Sequence, residues 1–327
     1  MRRRGRGFRK YIGLQNITDV ITYKAPGIKS YWFANFLTGD NDHEYCLVTT
    51  NANAGNTSRV TSIMLTDITL GTHFGTSIIS NGQLSNSEYY ADSGVLKTGA
   101  YSADQYSEVY VISEHPEATF NLTYAPQGPN LYQGGSGAYI WGLGFAYAYD
   151  MTETWVTGTI TQNGSVVNIV PETSMTWWDL QWGPSYSPGS WHAYVILLDN
   201  GVKIQVTVTN PVTTYRQNSL ATFSFPDGHH EVYPVANDVQ PANPWVSPVS
   251  NITYYHDYRI DISDYETSLA VHVPVEGGET ALNTDPSAVN SIADSFAYFS
   301  GTSNGLPVRG WGIAERKLSA GCGPFSC

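Results

Sequence analysis

Two segments half a chain apart share one skeleton. Trp32-Phe33-Ala34 leads after five residues to Asp40-Asn41, and Trp191-His192-Ala193 leads after five to Asp199-Asn200. Both read W-x-A-x5-D-N, offset by 159 in a chain of 327 residues. In each, an apolar run enters a turn and a second apolar run leaves it. That predicts a β-hairpin opening each half and two related β-units in tandem. The second hairpin is the clearer. Residues 191–198 are nearly continuously apolar, Asn200-Gly201 supplies a tight turn, and Val202, Ile204, Val206 and Val208 alternate with Lys203, Gln205, Thr207 and Thr209. A first strand apolar on both faces belongs inside a structure.

Composition agrees. Hydrophobic residues are 41% and charged residues 13%, the latter well below the usual quarter or so. Aromatics are 13%, with 23 Tyr and 9 Trp, and such side chains suit a pleated surface. The length allows one large core or two domains. No apolar stretch is long enough to span a bilayer. A net charge of -12 argues against nucleic acid or an anionic membrane as partner.

The N-terminus differs. Arg2, Arg3, Arg4, Arg6, Arg9 and Lys10 make a basic tail, read as disordered over residues 1–15, that lacks the apolar middle of a signal peptide. Cys46, Cys322 and Cys327 cannot all pair with one another. Cys322 and Cys327 could close a small loop, or one could reach Cys46. Sequons occur at Asn16, Asn56, Asn121, Asn163 and Asn251. This Asn-, Ser- and Thr-rich composition produces about that many by chance, so they permit a secreted glycoprotein without requiring one.

Further strands are predicted at 45–49, 109–113, 154–161, 254–262, 268–275 and 308–315. Over 139–150, Tyr139, Trp141, Leu143, Phe145, Tyr147 and Tyr149 share one parity. Ile140, Gly142, Gly144, Ala146, Ala148 and Asp150 share the other. That reads as an aromatic wall backed by a bare face, where a ligand or another sheet approaches. Ala288–Phe299 is the one helix candidate, and the Pro-rich 226–248 reads as a long loop. A composition shift at Pro171–Ser174 separates units 16–173 and 174–327. Many short strands with frequent turns give an all-β fold of barrels or sandwiches.

The chemistry points to Trp177-Trp178-Asp179-Leu180-Gln181-Trp182-Gly183. On a strand, Trp177, Asp179 and Gln181 share one face and Trp178, Leu180 and Trp182 the other. Among indoles, Asp179 is either hydrogen-bonded or protonated, and so serves as base or acid. The plainer account is an Asp that ties down a loop. Arg309, beside Trp311, is read as a buried donor or an exposed strand residue, and His192 as a core or catalytic histidine. His229-His230 lacks a third ligand for a metal and reads as a solvated loop. There is no metal-ligand spacing, phosphate loop or nucleophile elbow. No two carboxylates pair suggestively, as a glycosidase would need.

Trp177–Gly183 resembles the aromatic-x-Asp-x-Gln-Trp-Gly signature of the hydroxyneurosporene synthase and kievitone hydratase superfamily. Ser30-Tyr31-Trp32-Phe33-Ala34-Asn35-Phe36 resembles the opening strand of its fungal members, and Trp191 to Asn200 the strand after the signature. Gly305-Leu306-Pro307-Val308-Arg309-Gly310-Trp311-Gly312-Ile313-Ala314-Glu315 resembles the closing strand. The resemblance implies two tandem lipocalin-like β-barrels with a small-molecule pocket in or between them. It implies alkene hydration, or, in fungal members, cofactor-free Diels–Alder chemistry. One branch couples a quinone methide to a terpene. Secreted, glycosylated members occur. The signature aspartate of the hydratases, implicated in acid–base work, maps onto Asp179. Leu180 replaces the basic residue that often follows it.

The reading is therefore a cofactor-independent pericyclase, a hetero-Diels–Alderase joining a polyketide-derived, tropolone-type quinone methide to a terpene such as humulene. Holding two apolar reactants face to face lowers the barrier, and donors aimed at a ketone oxygen stabilise growing charge. Asp179, Gln181 and Arg309 would orient or polarise. Trp32, Tyr147, Trp177, Trp178, Trp191 and Trp311 would hold the reactants. The alternatives are an alkene hydratase with Asp179 as acid, a non-catalytic lipocalin carrying an apolar small molecule, and a carbohydrate-binding β-protein. The secretory pathway or extracellular space is expected, with the cytoplasm left open, and a homodimer is allowed.

Overall fold

The computed structural model describes residues 28–53, 58–85, 88–141, 144–162, 164–183, 190–209, 219–236, 239–285 and 291–318. The basic tail, Asn16, Asn56, Asn163, Cys322 and Cys327 lie outside them. Among the described residues there are strands, turns and three short 3-10 turns, and no α-helix. No helix is long and apolar enough to cross a membrane.

The first sheet takes β1 (Ile28–Thr38), β2 (Glu44–Asn53), β3 (Ser58–Asp67), β4 (Thr72–Asn81), β5 (Gln83–Leu84), β6 (Tyr90–Asp92), β7 (Leu96–Ala100), β8 (Val109–His115), β9 (Ala118–Pro126), β10 (Asn130–Tyr132), β11 (Ala138–Trp141), β12 (Gly144–Gln162), β13 (Ser165–Asn168) and β14 (Met175–Gly183). The second takes β15 (Trp191–Leu198), β16 (Lys203–Thr209), β17 (Ser219–Ser224), β18 (His230–Pro234), β19 (Ala242–Val246), β20 (Thr253–Ile262), β21 (Thr267–His272), β22 (Glu279–Ala281), β23 (Ser291–Ser303) and β24 (Leu306–Lys317). Their orders run β4-β3-β2-β1-β14-β12-β9-β8-β7-β6-β5 and β18-β17-β16-β15-β24-β23-β21-β20-β19. The hairpin β1–β2 closes on β14 as β15–β16 closes on β24, so the duplicated skeleton marks the same place in two lipocalin-like barrels.

Each sheet curls round its own apolar interior. Tyr31, Phe33, Tyr124, Trp178 and Leu180 belong to the first, and Tyr194, Ile204, Phe223, Ile260 and Phe299 to the second. Phe33 stacks on Trp178 with ring centres 5.5 Å apart, and each such ring contributes about 2–3 kcal/mol by leaving water. The aspartate of the skeleton does structural work. Asp40 Oδ1 accepts from the Asn168 N–H at 3.0 Å, and Asp199 Oδ1 accepts from the Arg309 N–H at 3.2 Å. Each ties its hairpin turn to a distant strand.

Four expectations change. β14 pairs with β1 and β12 in the first sheet, so the chain passes to the second sheet between Gly183 and Trp191, after the composition shift at 171–174. Within 288–299, residues 291–299 are the first part of β23, paired with β21, β22 and β24. A strand enclosed by neighbours loses the alternation that would have marked it. The Pro-rich 226–248 contains β18 and β19, which end the second sheet. Proline is tolerated at an edge because the outer side makes no ladder bond. The aromatic run at 139–150 is two antiparallel strands, with Tyr139 opposite Ala146 and Trp141 opposite Gly144. The reversal splits the wall between different faces.

The barrels touch along their outer faces. Ala34, Phe36, Val48 and Trp177 of the first pack with Leu197, Phe296 and Ile313 of the second. At one end, Ser77 and Leu282 form a bridge, and Asn283 N–H donates to Ser77 O at 3.1 Å. Gly75 permits this approach, since a Cβ there would lie 1.9 Å from the Glu279 carbonyl oxygen.

Candidate functional site

A cavity of about 430 Å³ lies between the barrels and draws side chains from both sheets, within the range of small-molecule sites. Strand alternation builds it. The inner parity of β14, with Trp178, Leu180 and Trp182, packs in the first barrel, so Asp179 and Gln181 point outward toward the second. On β24, Ala314 faces the second interior while Ile313, Glu315 and Lys317 face the cavity. Trp32, Trp141, Trp191, Ile79 and Ile292 supply apolar wall.

Two carboxyl pairs stand at its wall, the first through Asp179 and the second through both Asp294 and Glu315. Asp179 and Asp150 are register partners on β14 and β12, which sets their carboxyl groups side by side. Asp294 and Glu315 are register partners on β23 and β24. Sequence inspection missed both pairs, because cross-strand register is a property of the fold. Like charges so placed repel, and burial makes ionisation harder still. Burial pushes Asp150 up to about 8, with Gln133 holding part of that back. Gln133 Nε2 donates to Asp150 Oδ1 at 3.1 Å and Oδ2 at 3.3 Å. Burial, then the Asp150 and Glu315 charges, hold Asp179 far above the ordinary carboxyl range. Burial, then Glu315, does the same for Asp294. Glu315 is raised by burial and eased by donors on Trp191 and Asp294, with Trp191 Nε1 donating at 2.5 Å. Burial likewise raises the Tyr139 hydroxyl, so it stays neutral, accepting from Gln181 Nε2. Burial lowers Lys317 to about 8.

Of the residues singled out by sequence, the cavity gathers Asp179, Gln181, Trp32 and Trp191. Trp177 shares their face but is fully buried between the barrels. Trp178 is in the first barrel's core. Tyr147 is exposed and stacks on Trp182 at 5.5 Å. Arg309 and Trp311 share the parity of Glu315 but are exposed. Arg309 lies six residues from Glu315, about 20 Å along the strand. His192 is enclosed, pushed down to about 3 by burial and Arg316. His229 stacks on Phe225 of its own barrel at 4.1 Å and stays partly exposed beside Asp227, whereas His230 Nε2 accepts from the Tyr132 N–H of the first barrel at 3.1 Å. Among the described residues no three His, Cys, Asp or Glu side chains form a metal-binding group. Cys46 is a buried free thiol. Asn121 and Asn251 are exposed.

No family model matches the chain. Kievitone hydratase of Fusarium solani subsp. phaseoli is 22% identical over 291 residues, covering 88% of this chain and 81% of that protein. Dehydratase asqC of Emericella nidulans is 24% identical over 325 residues, covering 94% and 91%. The crystal structure of kievitone hydratase from Nectria haematococca superposes with a TM-score of 0.82 at 20% identity, covering 95% of this chain and 93% of that one. A structure described as AttH, from Nitrosomonas europaea, gives 0.77 at 16% identity, covering 95% and 99%. Over nearly its whole length, in sequence and in barrel arrangement, the chain fits the kievitone hydratase-like superfamily.

Proposed function

We propose that this protein is a hydro-lyase that adds water to, or removes it from, an apolar unsaturated substrate held between the barrels. The observation that carries this is Asp179, set beside Asp150 by strand register and lining an indole-walled cavity. Asp179 is kept protonated by burial and by its neighbour, the state a general acid needs near neutral pH. It protonates an alkene carbon, and water captures the resulting cation. In the reverse direction the hydroxyl takes a proton from solvent and leaves as water, and the Asp179 carboxylate removes the proton from the neighbouring carbon. One relative is named for hydration and another for dehydration, and one acid–base pair serves both directions. Prenylated phenols and polyenes match the greasy walls.

The test is incubation with kievitone, a panel of prenylated phenols and polyenes, and their hydrates, followed by mass analysis for gain or loss of one water. Turnover falling roughly 10²–10⁴-fold in Asp179→Asn supports proton transfer. Tight binding with no mass change makes the protein a carrier.

The hetero-Diels–Alder coupling is a second reading, supported by Trp32, Trp141 and Trp191 lining one chamber. Loss of water at Asp179 would release the quinone methide, and the walls would hold the terpene against it. That reading needs a coupled product from paired substrates, and tolerance of Asp179→Asn when a preformed quinone methide is supplied.

A further inference from the structure

The second carboxyl pair has no part in the step given to Asp179. Asp294 and Glu315 face one another across neighbouring strands and line the same cavity. Opposed acids on a sheet cost stability, and side chains from both barrels line the cavity around these two. Trp191 donates to Glu315 at 2.5 Å. Trp32, from the first barrel, lines the same cavity as Asp294. Lys317 follows Glu315 by two residues on the same face, also lines the cavity, and favours the Glu315 carboxylate. Oδ1 of Asp294 is buried with no hydrogen-bond partner. With the Trp191 donor and the Lys317 amine beside it, Glu315 is the member of the pair that ionises first. The first pair differs, since burial holds both of its acids above the ordinary carboxyl range, Asp179 the further.

We infer that Glu315, paired with Asp294, is a second catalytic proton-transfer group, acting on the oxygen of water while Asp179 acts on carbon. This rests on the hydro-lyase reading. In hydration, the Asp179 O–H bond breaks as the carbon–hydrogen bond forms. The water oxygen then bonds to the cationic carbon and gives one proton to the Glu315 carboxylate. The product gains one water, and the proton now on Glu315 returns to Asp179 through solvent. In dehydration the neutral Glu315 protonates the departing hydroxyl. The two barrels would thus each supply one half of the reaction.

The test uses the full chain with kievitone as probe. Glu315→Gln lowers kcat at least about a hundredfold with little change in KM. Added formate restores part of the loss in Glu315→Ala, which a folding defect would not allow. Wild-type turnover by both Glu315 variants alongside a dead Asp179→Asn overturns the role of Glu315 and leaves the hydro-lyase reading standing. An active Asp179→Asn brings down that reading instead. A second readout needs no turnover: infrared titration of the buried carboxyl carbonyls in deuterium oxide. Glu315→Gln and Asp294→Asn shift the titration of the remaining carboxyls if the two pairs share the cavity's charge. An unchanged titration in both variants overturns the proposal whether or not kievitone is accepted.

Discussion

Lys317 stands opposite Trp191 on β24 and β15 as Asp179 stands opposite Trp32 on β14 and β1. The shared skeleton aligns the two tryptophans, so duplication has placed an acid in one barrel and an amine at the equivalent position in the other. The second barrel carries its acid one rung away, at Glu315, opposite Ala193. Lys317 favours the ionised form of Glu315. Lys317→Met therefore raises the pH at which Glu315 ionises, and the acidic limb of the kcat–pH profile for hydration moves upward. A profile that stays in place would mean that the amine is not felt at Glu315.

Beyond the effect of burial, Asp150, opposite Asp179 on β12, raises its proton affinity by charge. Asp150→Asn removes the charge but keeps the volume. Asp179 then ionises at lower pH, and the basic limb of the hydration profile moves downward, with KM little changed. Measuring kcat across pH for the two proteins decides it.

Stability should also depend on pH. Asp150 ionises at an ordinary value of 3.8 when unfolded and at about 8 in the fold. Between these the folded state holds more protons, so stability falls as pH rises. The protein is most stable near the lower end of that window and loses stability toward about pH 8. Thermal melts across the range would show a falling Tm, with a shallower slope for Asp150→Asn.

Trp178 and Arg309 separate core from surface. Trp178 is fully buried against Phe33 and Tyr89, and Trp178→Ala should cost about 3–5 kcal/mol in denaturant unfolding. Arg309 is exposed and makes its contact to Asp199 through backbone. Arg309→Ala should change stability by less than about 0.5 kcal/mol and leave turnover at the wild-type level.

Gly75 marks where the barrels lean on each other. A methyl group there meets the Glu279 carbonyl, and Gly75→Ala should cost about 1–3 kcal/mol through forced backbone shifts. Because that contact holds β4 against β22 beside the cavity, KM should rise more than kcat falls. Steady-state kinetics with any accepted substrate would test this.

Much was legible along the chain. The W-x-A-x5-D-N repeat, the Asn200-Gly201 turn and the alternation of 202–209 are local patterns, and local backbone geometry realises them as hairpins in matching positions. The two faces of 177–182 also followed from a period of two. The sequence by itself determined a duplicated all-β chain with Asp179 and Gln181 on one strand face. Only tertiary structure decided that this face looks out of its own barrel and into the gap beside a second. Only it brought Asp150 against Asp179 and Glu315 against Asp294, and left Arg309, Trp311 and Tyr147 outside. The physical reason is that pairing register and barrel contact join residues far apart in the chain. A buried pair of acids is created by distance and lost solvent, and neither is written in the spacing of letters.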